Sequence, residues 1–432
     1  MENHINSAFN AIFKTSGNST LDKYLAVASP DSGNNMEIEL IERFLRRDHQ
    51  FRYNTVKGQL EFMKDDKEGF KPLTDRDEYS LWREIQKDKR LKDEGVKCNI
   101  SYLRGLLVSE FSKLYDPFED YLYSLAEWDS TTDYISQLAS TVRTDNDQLF
   151  HRLLMSWLVA TVGSMLDPKI VNHTALIFTG KQGIGKSSWI QKLVPSQLKD
   201  YYYSGPVNPF NKDTLINLST CMIIDLDELE SMNNTEIGAF KELITKPHIK
   251  LRRPYGRYNE DMPRRASFAG SINDAQFLND MTGSRRFLVF EAFEIDYTHS
   301  LDMDRVYSQA LTLFKSGYKY WLDEDDIREL EMNNSKFQRT TVEEDLLLQH
   351  FETAGEGDKI HHFYSATEIA GQLSTLAQGF TVNNATTQRL GKALRKNGFK
   401  LCKKKGLLKY CVRHIDKPTD DIGDGVIINE VV

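Results

Sequence analysis

The sequence predicts an α/β protein, with an α-rich N-terminal region, a central sheet-forming stretch and a small basic C-terminal module. Three observations carry this expectation. Short apolar runs at Thr174 to Phe178, Cys221 to Ile224, Ala266 to Ser271 and Phe287 to Phe290 are bounded by glycines and polar turns, the pattern of strands buried on both faces of a sheet. Helical apolar spacing dominates the chain before Asp167-Pro168. The length of 432 residues exceeds what one core organises at about 150 residues per domain.

Taken in order, residues 1–35 are rich in Ser, Asn and Asp and read as a loose lead-in. Residues 36–147 form the α-rich domain. Helical spacing runs from Ile38 to Leu45, and the runs from Phe51 to Asn54 and from Gln59 to Phe62 flank Lys57-Gly58 as a hairpin. Helices follow at Arg76 to Gln86 and at Ile100 to Leu114, the second stopped by Asp116-Pro117. Further helices are expected around Tyr134 to Val142 and Leu149 to Val162. The apolar stretch Leu153 to Leu166 carries Ser156, Thr161 and Ser164 and falls short of the ~20 residues that cross a bilayer, so it reads as a buried helix. The central domain spans 148–325, a charged helical connector 326–349, a basic module 350–415 and an acidic, flexible tail 416–432.

Lys plus Arg number 55 against 63 Asp plus Glu, a formal charge of −8, so any nucleic-acid surface must be local. Cys98, Cys221, Cys402 and Cys411 are scattered, with neither a CxxC pair nor a His cluster, which argues against a disulfide framework or a zinc site. The N-terminus has no basic segment followed by an apolar one. A cytoplasmic protein without a membrane partner is expected.

The strongest motif is Gly180-Lys181-Gln182-Gly183-Ile184-Gly185-Lys186-Ser187, a full GxxxxGK[ST] between a strand-like run and the helix-like sequence that starts at Ser188. Glycines let successive backbone N–H groups converge on one concavity that holds polyphosphate. The nucleotide ligands are therefore Gly180, Gly183, Gly185, Lys186, Ser187 and Ser188, with Lys186 reaching the β- and γ-phosphates and Ser187 offering a hydroxyl to Mg²⁺. The run from Cys221 to Ile224 ends in Asp225-Leu226-Asp227-Glu228, which supplies a carboxylate for Mg²⁺, either Asp225 or Asp227, and Glu228 for the attacking water. Alternation along a strand leaves the choice of metal carboxylate open. Asn273, at the end of the Ala266 to Ile272 run, is placed to bond the lytic water or the γ-phosphate, and Arg285 and Arg286 to stabilise transition-state charge, in a neighbouring copy's site if they point outward. ATP and Mg²⁺ are the expected ligands.

This order of motifs resembles superfamily 3 helicases, a compact AAA+ branch of the P-loop fold, and Pro254-Tyr255-Gly256-Arg257 with the stretch from Asn273 to Phe287 resembles the virulence-associated protein E family of phage, plasmid and transposon replication modules. The resemblance covers roughly Met36 to Phe290. It implies ATP hydrolysis by a self-associated ring, usually a hexamer, that moves along single-stranded or forked DNA. Many relatives carry a primase domain upstream; this sequence starts close to the helical collar, so priming is not expected of it and a separate primase or initiator protein is the further partner expected.

The same resemblance assigns Lys250, Arg252, Arg253, Tyr255 and Arg257 to a hairpin lining the ring's pore, where cations replace counterions and aromatics stack on bases. The stretch from Ile369 to Ile415 contains no Asp or Glu but ten Lys and Arg, among them Arg395, Lys396, Lys403, Lys404 and Lys405. Two helices, Ser365 to Leu373 and Thr386 to Asn397, then two strands around Lys405-Gly406, resemble a winged helix-turn-helix that touches DNA. Rival readings are a nucleotide-switched oligomeric scaffold or defence-signalling ATPase that unwinds nothing, and a small-molecule kinase, for which no acceptor-binding domain is visible.

Overall fold

The computed structural model describes residues 32–64, 69–226, 234–253, 256–273, 278, 284–338, 340–354, 362–404 and 406–415. Asp227, Glu228, Tyr255, Lys405, most of the lead-in and the acidic tail lie outside the described residues.

Helix α1 (Ser32–Asp48) enters the expected hairpin, β1 (Gln50–Asn54) and β2 (Gln59–Met63), whose turn is closed by Gly58 at φ +64. Strand β3 (Lys71–Pro72) follows, then α2 (Asp75–Lys87), α3 (Lys89–Asp93) and α4 (Ile100–Val108). The helix expected to reach Leu114 stops at Val108. Ser109 and Ser112 donate to the carbonyls of Leu106 and Leu107, satisfying the last turn, and β4 (Lys113–Tyr115) then pairs in parallel with β1. The sheet order is β3-β2-β1-β4, and Ile41, Leu45, Phe62, Leu81, Ile85, Leu103 and Leu107 form its core.

Helices α5 (Pro117–Ser124) and α6 (Tyr134–Ala139), strand β5 (Val142–Thr144) and helix α7 (Asp147–Leu166) belong to a different core. Phe118, Leu122, Ile135 and Leu138 pack with Leu176, Phe178 and Trp189, and β5 is an edge strand of the central sheet. The cores thus divide near residue 116, where the first unit's last strand ends, and not at the expected 147. Helix α7 is long and apolar enough to cross a membrane by composition, but 72% of its apolar window is buried inside the fold.

The central elements are β6 (Ala175–Thr179), α8 (Lys186–Lys192), β7 (Tyr202–Gly205), α9 (Lys212–Thr220), β8 (Ile223–Leu226), α10 (Asn234–Thr245), the hairpin β9 (His248–Leu251) and β10 (Glu260–Pro263), β11 (Ser267–Ser271) and β12 (Phe287–Ile295). The sheet runs β5-β12-β6-β11-β8-β7, parallel throughout except for β5. Leu176, Phe178, Ile223, Ala269 and Phe290 face α7 and α8, whereas Ile177, Ile224, Leu226, Phe268 and Val289 pack with Phe240 and Ile244 of α10. Coverage on both faces is why these strands read as unbroken apolar runs.

Helix α11 (Met303–Lys315) packs on α7, and α12 (Glu324–Asn334) is fastened to the sheet by hydrogen bonds from Asn333 to the Val289 carbonyl and from Asn334 to the carbonyls of Ser284 and Phe287. The expected connector is therefore split: α12 joins the central core, and α13 (Val342–His350) joins the terminal unit through Leu347. That unit adds β13 (Phe351–Thr353), β14 (His362–Tyr364), α14 (Ala366–Leu376), α15 (Asn384–Lys396), β15 (Leu401–Lys404) and β16 (Leu407–His414), with β16 pairing antiparallel to the other three strands. Both helices open on capping boxes, Ser365 with Glu368 and Asn383 with Thr386. The four cysteines are buried and remain thiols.

Because Asn334 is fully buried and its amide serves two carbonyls, Asn334→Ala should lower stability by about 1–3 kcal/mol in urea unfolding. An unchanged midpoint would mean that α12 is only loosely attached.

Candidate functional site

Three parallel strands, β6, β11 and β12, deliver the chain to the same edge of the sheet, with Phe178 level with Ser271 and with Phe290. Beyond β6 the backbone turns through Gly180 (φ +123), Gly183 (φ +84) and Gly185 (φ +97) before α8 begins at Lys186. These are left-handed values that side chains resist. At Gly180 a Cβ would stand 2.5 Å from the carbonyl oxygen of Ala292, and at Gly185 it would stand 2.1 Å from the ring of Tyr297. Gly183 has open space around it, so its requirement is conformational alone. The helix behind the loop is pinned by Trp189, whose indole donates to Thr141 Oγ1 at 2.7 Å and meets Phe178 edge to face.

Lys186 is buried in the loop. Its Nζ donates to the carbonyls of Gly180 (2.7 Å) and Lys181 (2.9 Å) and lies 3.4 Å from Asn273 Oδ1. Ser187 Oγ is 3.1 Å from Ser271 Oγ, and Ser188 is exposed one position further along. The fold therefore assembles the glycine loop, Lys186, Ser187 and Asn273 at one edge. Ser271, which sequence reading passed over, joins them; alternation puts it on the same face of its strand as Asn273, a signal that was available.

Asp225 is buried on β8 and accepts a hydrogen bond from the Tyr202 hydroxyl at 2.8 Å. It is level with Ala269 and therefore two positions behind Ser271 on the neighbouring strand, a setback of roughly 7 Å. Nothing in the sequence pointed to Tyr202. Asp227 and Glu228 lie outside the described residues.

Arg285 and Arg286 end a short 3-10 turn just before β12, whose first residue, Phe287, pairs with the first residue of β6. They therefore stand at the opposite edge of the sheet from the glycine loop, beside a cavity of about 380 Å³ lined by Trp157, Val171, His173, Leu288 and Trp321. Burial, and then the Arg285 cation, pulls the Arg286 guanidinium below its ordinary pKa. Burial, and then the cations of Arg264 and Arg286, lowers that of His173.

The basic segment after α10 forms an antiparallel hairpin, β9 against β10. Lys250 projects into solvent, with a side chain 78% exposed 3.8 Å from Asp261, and Arg252, Arg257 and Tyr258 are also exposed. Arg253 behaves differently. Its side chain is only 11% exposed, pairs with Glu260 at 2.9 Å, donates to the Val56 carbonyl at 3.1 Å, and lies over Gly58 where any Cβ would collide with it. This arginine joins the hairpin to the β1–β2 turn, so it is not a spare cation. Arg264 and Arg265 are likewise structural: the first donates to the carbonyls of Asn172, Ile244 and Ala266, and the second pairs with Asp116.

In the terminal unit, among the described residues, Arg389 is matched by Glu343, Lys396 by Glu344, Lys409 by Glu368 and Arg413 by Glu352. Lys404 covers the ring of Phe363. Arg395 and Lys403 are exposed, with Lys392 and Lys400 beside them in sequence.

The model of the virulence-associated protein E-like domain matches residues 122–339. Among solved structures, the apo structure of the NrS-1 C-terminal region is similar at 14% identity, covering 88% of this chain and 99% of that chain with a TM-score of 0.43. An A-form apo structure of the same region gives 14% identity, 87% and 98% coverage and a TM-score of 0.42. No curated protein matches the chain.

Removing the Arg253 guanidinium leaves the hairpin without its hold on the β1–β2 turn. Arg253→Ala should accelerate amide exchange of Ile249 and Met262, which pair in the hairpin, by about tenfold in hydrogen–deuterium mass spectrometry. Exchange at the wild-type rate would show that the contact restrains nothing.

Proposed function

The chain belongs to the virulence-associated protein E-like family, and from that premise we propose that it is an ATP-dependent DNA helicase or translocase, a cytoplasmic ring motor of a mobile-element replication module built on a P-loop AAA+ core. The observation that carries the reading is Lys186, held by the carbonyls of Gly180 and Lys181 beside Asn273 in a left-handed glycine loop at the carboxyl end of a buried parallel strand. Ligands of open α/β sheets bind at that end of the strands.

On this reading the loop amides cradle the polyphosphate, and Lys186 exchanges its loop carbonyls for the β- and γ-phosphate oxygens of ATP. The donor set suits magnesium, which takes a hydroxyl, one or two carboxylates, phosphate oxygens and waters and needs no cage of three carboxylates; among the described residues no such cage exists. Ser187 would hold the ion with Asp227, since Asp225 sits behind Ser271 and is engaged by Tyr202. Bound there, magnesium would neutralise developing phosphate charge. Glu228 orients and deprotonates the attacking water, and Asn273 positions it against the γ-phosphate.

Arg285 and Arg286 stand at least four strand residues, roughly 13 Å, from their own glycine loop, too far to touch the same triphosphate. We assign them to a neighbouring copy's site, which makes ring assembly, most simply as a hexamer, a condition of turnover. Lys250, Arg252 and Arg257, with Tyr255 and the exposed Tyr258, form the pore-facing set, and Arg253 leaves it. The terminal unit, read as a winged helix, contributes Arg395, Lys403 and Lys405 to DNA, while Lys396 and Lys404 are engaged within the unit. A separate primase or initiator protein is the further partner of this reading. The rival, a nucleotide-switched scaffold, draws support from the internal pairing of Arg253, Arg389, Lys396, Lys409 and Arg413, which lowers the charge on offer to DNA.

Steady-state ATPase measurements separate the assigned roles. Lys186→Ala should abolish turnover, and Arg286→Ala should leave nucleotide binding intact while lowering turnover by about a hundredfold or more; full turnover in either variant removes the corresponding assignment. Lys250, Arg252 and Arg257 replaced together by Ala should erase stimulation of the ATPase by single-stranded DNA. Unaltered stimulation would place the DNA contact elsewhere, and its absence in the wild type would favour the scaffold.

A further inference from the structure

We propose that Tyr297 is the platform on which the base of a purine nucleoside triphosphate stacks, an inference that rests on the phosphate-loop reading above and extends it to the other end of the substrate. Strand β12 lies beside β6 and runs parallel to it, so the residues that follow it emerge next to the glycine loop. Tyr297 is the second residue after that strand. Its ring presses against Gly185, where a Cβ would lie 2.1 Å from Cδ1 and 2.7 Å from Cγ. Gly185 is thus demanded twice, by its φ of +97 and by the aromatic ring above it.

The ring is not merely filling space under a lid, because 43% of the residue remains exposed. Its surroundings are nevertheless fixed. Asp296 N–H donates to the Thr141 carbonyl (2.8 Å), Thr298 donates to the Asp296 carboxylate through both its amide and its hydroxyl (3.0 and 2.7 Å), and Lys192 of α8 donates to the His299 carbonyl (2.6 Å). Thr141 also receives the indole of Trp189, so the turn carrying Tyr297 and the helix behind the loop share one anchor. A large aromatic ring on an anchored turn, partly open to water beside the glycine loop, has the properties of a stacking surface.

Direction follows from the phosphate chemistry. Lys186 and Asn273 mark the end of the loop where the terminal phosphates react. The nucleoside must then leave by the other side, past Gly185 and the start of α8, where Tyr297 stands. Stacking on an aromatic face stabilises any base, and purines offer the larger face, so the platform contributes affinity without reading hydrogen-bond donors and acceptors. ATP and GTP should therefore bind with comparable affinity.

Calorimetric titration of the full chain with ATP and with inorganic tripolyphosphate, both with Mg²⁺, tests this in the wild type, Tyr297→Ala and Tyr297→Phe. The expected result is ATP affinity lowered about tenfold by Tyr297→Ala and preserved by Tyr297→Phe, with tripolyphosphate binding the same in all three. Wild-type ATP affinity in Tyr297→Ala overturns the proposal. So does an equal loss for both ligands, since the ring would then be a prop for the loop and not a base contact. A wild type that binds neither ligand defeats the phosphate-loop reading itself and the stacking proposal with it, an outcome distinct from the other two.

Discussion

The structure depends on one constraint: a strand buried on both faces must end in a backbone that turns three times through left-handed conformations within six residues. The sheet supplies the rigidity. Ala175 to Thr179 has no exposed side chain, and its neighbours β11 and β12 hold it in register on either side. The glycines supply the freedom, and at Gly180 even a methyl group would strike the backbone of Ala292. An ammonium group at the end of this turn is satisfied by carbonyls that the turn itself exposes. The loop geometry is therefore held by packing below it and by Lys186 within it.

Polar groups fix how the surrounding layers sit. Trp157 and Thr161 of α7 bond the Phe268 carbonyl and Ser267 Oγ of β11, and Asn172 bridges Trp157, Thr161 and Ser267. Arg264 is fully buried, and among the described residues no carboxylate pairs with it. Burial pulls its pKa down to about 9, yet its guanidinium remains the cation at neutral pH and is served by three backbone carbonyls. A buried charge of this kind tolerates no loss of partners, so it ties the link between β10 and β11 to the end of α10 and to the segment before β6 more strictly than apolar contact alone.

Much of this was legible in residues. Unbroken apolar runs marked β6, β8, β11 and β12, the glycine spacing marked the loop, Lys57-Gly58 marked the hairpin, and Asn273 stood out as the polar amide that follows a strand. What escaped had no local signature. The burial of Arg253 depends on a carbonyl nearly two hundred positions earlier, Tyr202 reaches Asp225 across a strand pair, and Phe118 to Ala139 joined the central core because of what it packs against. The terminal stretch looked ten charges positive because its compensating acids, Glu343, Glu344 and Glu352, lie before it in the chain.

That compensation sets how the terminal unit can meet a polyanion. Displaced counterions, not total basicity, govern the ionic-strength dependence of such an encounter, and each phosphate neutralised contributes about 0.7–0.9 to its logarithmic slope. A cation already matched to a carboxylate releases no counterion when it moves to a phosphate unless its acid is abandoned, and Glu343 and Glu344 are buried. An encounter of this unit with a polyanion would accordingly be shallower in its response to salt than its ten Lys and Arg suggest.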